Sequence, residues 1–388
     1  DSPYDVWVGG VAVTATNKDN VLAGTPNDGL VVFTPADTAA GTPATLTLGD
    51  DKGVDVSIAG VAGLYHGAAI MSNHNLTIDI KNPTTLTGAS CASGAVAGIY
   101  VEGSLILKDT YGSSLTVTAG DSSDGTAAGE DFSAGIYADG DVSISNVECT
   151  ATGGGGTASS FGLFARGSLT MTGNYTELTC NGGAGTNTSV GIRAFGDMKA
   201  TSDIPIVARG ADVAGGSSAG ICAQSIDLSE WSPAIEAYGG AAKSSSGILM
   251  VAETSGATTG ITLVDWSSIT AQGGDATLES YGIRCANATD IVSVSGDSHI
   301  KATAGTVSAA DGTSEGILGC LAYSVAAKCD PIVDASSGTA NTSKALSTDP
   351  QISGDYRWLT NAVSSWQHGT ANPYRYSGTE RSVSLRST

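Results

Sequence analysis

Positive charge is what this chain has least of. Only 17 of its 388 residues are Lys or Arg against 38 Asp or Glu, a formal net charge of -21. Such a field repels polyanions, so a general electrostatic footprint for nucleic acid or anionic lipid is excluded. Long apolar runs are missing too: no stretch of 18 or more apolar residues exists to cross a membrane as a helix. Aromatic residues make up 6% and charged residues 14%. The surface must therefore be mostly hydroxyl, amide and backbone, a chemistry that suits extracellular solubility and sugar hydrogen bonding. The seven cysteines include no Cys-x-x-Cys spacing and no Cys/His cluster, which argues against zinc and dithiol redox chemistry. Cys149, Cys180 and Cys285 fall at inward positions and read as small buried hydrophobes. A bridge between Cys320 and Cys329 stays open at this level. Helical spacing of apolar residues is not sustained anywhere in the middle of the chain, where Gly, Ser and Thr abound, so helices are nearly excluded.

What is there is a repeat. A glycine followed by Ile or Leu recurs at Gly98, Gly135, Gly162, Gly191, Gly220, Gly247, Gly282 and Gly316, spaced 27 to 37 residues apart. A period of about 31 belongs to stacked-repeat architectures. Each Gly-Ile opens an alternating run such as Ile136-Tyr137-Ala138, a period of two and hence a strand. A turn (Gly140-Asp141, Gly167-Ser168) leads to a second alternating run (Val142/Ile144, Leu169/Met171). A third run then reads apolar, any, small, any, glycine, as in Ile235-Glu236-Ala237-Tyr238-Gly239. Small residues recur there because a narrow stacked coil has no room for leucine at every level. The expected fold is all-β, a right-handed single-stranded parallel β-helix of about nine coils with three short strands each. Residues 67–320 form the repeats, 1–66 an N-terminal cap with entry strands, and 321–388 a C-terminal cap or tail.

In the C-terminal segment, 335–348 reads as a long surface loop. Tyr356, Trp358, Trp366, Tyr374 and Tyr376 crowd behind it, and bulky rings there would seal the end of the stack. The chain opens at Asp1 with neither methionine nor signal sequence, as a processed exported protein would. A secreted or cell-surface monomer is the expectation.

Alternation aims the residue after each Gly-Ile outward, and stacking aligns these residues in a column containing Tyr100, Tyr137, Phe164 and Arg193. A second column two positions on contains Glu102, Asp139 and Arg166. Flat rings offer an apolar face to a pyranose, and neighbouring carboxylates and guanidinium groups hydrogen-bond its hydroxyls. Tyr100, Tyr137, Phe164, Arg193 and Arg166 are thus the candidate carbohydrate surface, with an aromatic ladder that serves only the stack as the plainer reading. Glu102 and Asp139 fall on adjacent coils about 4.8 Å apart at the backbone. Such like charges repel, share a proton or hold a cation, for which Ca2+ is the natural choice. Asp121 and Asp124, in the acidic loop that also holds Glu130 and Asp131, are a second candidate metal set, solvated loop acids being the default. A catalytic constellation is not legible: no paired aspartates on a strand, no base beside a dense acidic set, and four histidines that occur singly.

The Gly135-Ile136-Tyr137-Ala138, Gly140-Asp141 and Ile235-Glu236-Ala237-Tyr238-Gly239-Gly240 phrases resemble secreted, repeat-built parallel β-helix proteins of Gram-positive anaerobes. These include a calcium-dependent family that binds cellulose and acidic sugars and is related in fold to pectate lyases. The likeness covers about residues 67–320. It implies a non-catalytic, extracellular or cell-surface protein that binds polysaccharide on a lateral face. A polysaccharide lyase or glycoside hydrolase of the β-helix type, and a structural stalk or adhesin module, are the alternatives.

Overall fold

The computed structural model describes residues 4–122, 131–156, 158–253, 259–287, 289–326, 329–361, 365–370 and 380–388. The chain is an all-β parallel β-solenoid of about ten turns, 56% strand and 1% helix, so the period of two is the period that folds. Two compact units, Asp1–Thr186 and Asn187–Thr388, are each built from stacked coils.

In the first unit the strands that carry the repeating glycine are Val96–Val101, Phe132–Ala138 and Ser159–Ala165, preceded by Ile70–Ser72; each of the three begins two or three residues before its glycine, which lies inside the strand and does not open it. Their register puts Ile99, Ile136 and Leu163 in one column, all fully buried. A second column, Leu76, Leu105, Val142 and Leu169, is formed by the next strand of each coil and is equally closed to solvent. Parallel pairing begins with Thr45–Leu48 on Leu76–Ile80. Before it, Val6–Val8 runs antiparallel to Ile70–Ser72 and Val31–Thr34 antiparallel to Thr45–Leu48.

The second unit repeats the plan. Ile192, Ile221, Ile248, Ile283 and Ile317 stack along one sheet. Ala208, Ala237, Ala271, Ala302 and Ala335 stack where the coil is narrow, none more than 2% exposed. That last alanine corrects the expectation of a long surface loop over 335–348: the segment contains the end of strand Ile332–Ser336 and all of Thr342–Leu346. Its composition looks like a loop because the narrow corner selects the same small residues, and Ala335 and Ala345 are both buried. The C-terminal strand Ser382–Ser387 turns antiparallel onto Ile332–Ser336 and Asp355–Thr360. Arg386 clasps it there, with two hydrogen bonds to the Asp334 carboxylate at 3.0 and 2.8 Å. Tyr356 is fully buried in this cap and Trp366 lies against Arg357 and Arg386; Tyr374 and Tyr376 lie outside the described residues. Cys320 and Cys329 are free thiols and form no bridge.

The repeating glycine is selected by close approach. A Cβ on Gly247 would sit 2.3 Å from the Gln272 amide nitrogen and 2.8 Å from the Gly282 carbonyl. Both obstacles are backbone, so the neighbouring coil cannot yield.

Two residues before this glycine is a serine in seven of eight coils: Ser133, Ser160, Ser189, Ser218, Ser245, Ser280 and Ser314. None is more than 2% exposed. Each hydroxyl is set to work on the glycine-rich turn that closes the coil. Ser133 donates to the Gly120 carbonyl at 2.9 Å and accepts the Gly154 N–H at 2.7 Å. Ser218 donates to Ala211 O and accepts Gly240 N–H, both at 2.8 Å; Ser280 does the same for Gly274 O and Gly305 N–H at 2.9 and 2.7 Å. Turn amides outside the sheet ladder need partners once buried, and a serine ladder running up the coils supplies them.

Candidate functional site

In the first unit the register brings Tyr100, Tyr137 and Phe164 together as the alternation requires. One coil rise of about 4.8 Å is also a ring-stacking distance, and the rings use one another. Tyr100 and Tyr137 stack at 4.7 Å, Tyr137 meets Phe164 edge-on at 5.4 Å, and His66 covers the other side of Tyr100 at 3.9 Å. Phe132 packs on Tyr137 and Phe164 at 4.9 and 5.5 Å. Tyr137 is 5% and Phe164 9% exposed, so neither turns a ring face to solvent. Burial, aided by the Asp139 charge, pushes the Tyr137 phenol up to about 12. Burial likewise raises Tyr100 well above the usual phenol range, with Tyr137, Glu102 and Asp139 adding to it.

The carboxylates are deployed differently from one another. Asp139 Oδ1 accepts a hydrogen bond from the Tyr137 hydroxyl and another from Arg166 Nη1, each at 3.1 Å, so its counter-charge comes from the chain itself. Glu102 is exposed on the neighbouring strand end. Asp121 Oδ1 accepts the Gly155 N–H at 2.6 Å. In the second unit Asp212 takes the Ala241 N–H at 2.7 Å and Asp275 the Thr306 N–H at 2.9 Å. An aspartate at this turn is thus a backbone cap, the ordinary use of Asp in turns. Asp124 lies outside the described residues. Among the described residues no three His, Cys, Asp or Glu side chains converge as metal ligands would.

Arg193, in the second unit, is also engaged. Its guanidinium donates to the Cys222 sulfur at 2.5 Å, pairs with Glu253, and lies 4.9 Å from the Phe195 ring centroid.

The exposed rings of this unit are elsewhere, in the turns between the second and third strands. Trp231 is 73% and Trp266 68% exposed. Both hold left-handed backbone, φ +66° and +70°, a conformation that is costly for a bulky residue and that collects at functional sites. Leu228 pairs in register with Leu263, and each tryptophan follows its leucine by three residues. The phrases Leu228-Ser229-Glu230-Trp231-Ser232 and Leu263-Val264-Asp265-Trp266-Ser267 therefore occupy corresponding turns of adjacent coils, with an acid before each tryptophan, although the second turn is one residue shorter, Ala234 pairing with Ser268. Lys199 bonds Glu230 at 2.9 Å and lies 3.7 Å from Asp227. The adjoining third strands carry Glu236, Tyr238, Thr270 and Gln272 facing away from the core, with Arg209 5.3 Å from the Tyr238 ring centroid. In the first unit Tyr175, 58% exposed, occupies the same kind of turn, and Tyr111, 85% exposed, lies at the register irregularity inside strand Leu105–Thr118.

Reading outward from the glycine strand alone passes over these rings, because they lie in turns. The signal was present as a repeated Leu-x-acid-Trp-Ser phrase, holding two of only five tryptophans. Comparison with protein-family models, with curated proteins and with solved structures gives no match to this chain.

Proposed function

We propose that this protein is a non-catalytic, extracellular or cell-surface β-solenoid that binds polysaccharide on a lateral face, with Trp231 and Trp266 as the sugar platform. One observation carries the reading: two tryptophans on consecutive coils are held open to solvent at strained backbone positions. Water alone selects against both features, since an exposed indole loses burial and a left-handed bulky residue is strained. A pyranose is about as long as a coil is high, so successive sugars of an extended chain can meet successive rings. Acids, hydroxyls and an amide around the rings match sugar hydroxyls. With Lys199 already paired and a net charge of -21, a neutral or amino sugar is favoured over a polyuronate.

The test is titration of neutral, amino and acidic oligosaccharides into wild type, Trp231→Ala and Trp266→Ala. Neutral or amino chains should bind, and each truncation should weaken them at least about tenfold, as loss of a hot-spot tryptophan does. Undiminished binding by the double variant would refute the site. No binding by any glycan would refute the function and leave the stalk or adhesin reading, which the closed Tyr100, Tyr137 and Phe164 ladder favours.

A further inference from the structure

The first unit holds a cleft of about 590 Å³ lined by Tyr4, Val6, Phe33, Pro35, Pro43 and Glu102, among others. Its volume lies within the range of small-molecule sites. Its floor is apolar: Val6 and Phe33 are each 2% exposed, and the Tyr4 ring leans on Phe33 at 5.2 Å between centroids. The polar side chains at its edge are mostly committed inside the protein. Ser72 donates to the His74 carbonyl at 2.8 Å, Asn75 Oδ1 accepts the Ser104 N–H at 2.8 Å, and the His74 ring lies 3.4 Å from the Asp5 carboxylate. Glu102 is the exception, an exposed carboxylate with no ion-pair partner among the described residues. Among the described residues no lysine or arginine lines the cleft.

We infer that this cleft binds a small amphipathic cation, an aromatic or aliphatic amine whose apolar body lies on Val6, Phe33, Pro35 and Pro43 and whose ammonium group meets Glu102. Charge complementarity selects the amine: the free charge at the rim is negative, and an anion would meet only His74, which already lies beside Asp5. Tyr4 adds a ring face that attracts a cation. The site uses none of the residues of the tryptophan platform and stands or falls apart from it.

Three probes of one shape test it: 2-phenylethylammonium, 2-phenylethanol and 3-phenylpropionate, titrated by calorimetry and ligand-observed NMR. The ammonium should bind, about fivefold tighter than the alcohol, the gain an exposed ion pair supplies, and the carboxylate should bind more weakly than either. Glu102→Gln should erase the preference for the ammonium while leaving alcohol binding intact. Ala44→Trp, which fills the cleft, should abolish binding of all three, with the circular-dichroism melt showing that the fold persists. Equal affinities for ammonium and alcohol, an unaltered preference in Glu102→Gln, or no binding of the ammonium would each overturn the inference.

Discussion

Ser133→Ala is the sharpest test of how the coils are held together. The hydroxyl donates to Gly120 O at 2.9 Å and accepts Gly154 N–H at 2.7 Å, and Ser133, Gly120 and Gly154 are all buried. Alanine keeps the packing and deletes both bonds. The carbonyl and the amide are then stranded without water, and each orphaned buried group costs about 1–3 kcal/mol. Allowing for some relaxation of the glycine turn, the loss should be about 2–4 kcal/mol. Ser218→Ala removes the equivalent pair of bonds, but Ala211 and Gly240 are only half-buried, so water replaces part of what is lost and the cost should fall to about 1–2 kcal/mol. Ser143→Ala, on an outward position between Val142 and Ile144, should stay within about 0.5 kcal/mol. Guanidinium unfolding gives the three values, and amide exchange at Gly154 should accelerate in Ser133→Ala. A loss for Ser133→Ala no greater than for Ser143→Ala, or an order with Ser218 above Ser133, would show that the ladder does not carry the coil closure.

The other predictions concern strain and charge. Trp231→Gly and Trp266→Gly relieve a left-handed backbone, so stability should hold or rise by about 1 kcal/mol while sugar binding is lost; a melt lowered by more than that would mean the rings are structural. Glu315 is 7% exposed with one carboxylate oxygen lacking a partner. Burial raises it above the usual carboxylate range, although Lys344 and Arg284 oppose this and Glu279 adds to it. The folded state then holds the proton more tightly than the unfolded, so stability present at low pH is lost as pH rises through the folded value. Glu315→Gln should therefore be more stable than wild type at neutral pH and flatten that slope, as unfolding curves taken from pH 4 to 8 will show. Burial would also raise Asp334, but His299, Arg386 and Ser384 hold it well below the carboxylate range. Its stabilising effect is present above the unfolded value and lost as pH falls through the folded one. Arg386→Ala should cost about 1–2 kcal/mol at pH 7, discounted for partial exposure, and should shrink the difference from wild type in acid; an unchanged acid melt would argue against the clasp.

The fold was legible because its cause is local and repeated. Ile136, Ile192 and Ile283 alternate with outward residues on a period of two, and the alanines of the third strand mark the narrow corner one coil after another. A stretch such as 335–348 misleads for the same reason, since the residues that fill a tight corner are also those of a loop. The candidate site was legible only in part. Tyr100, Tyr137 and Phe164 do share a column, yet period alone does not say whether neighbouring rings face solvent or one another. That is decided by the coil rise, which matches a stacking distance and closes the ladder. Asp121 likewise reads as a loop acid until the next coil brings the Gly155 N–H to it.

By itself, then, the sequence determined strand, coil and inward face, because alternation and small-residue spacing act over a few residues of one chain segment. Tertiary structure alone decided which polar groups are spent on neighbouring coils and which rings remain open. Those outcomes depend on what the adjacent coil, about 30 residues away, places within hydrogen-bond or stacking reach.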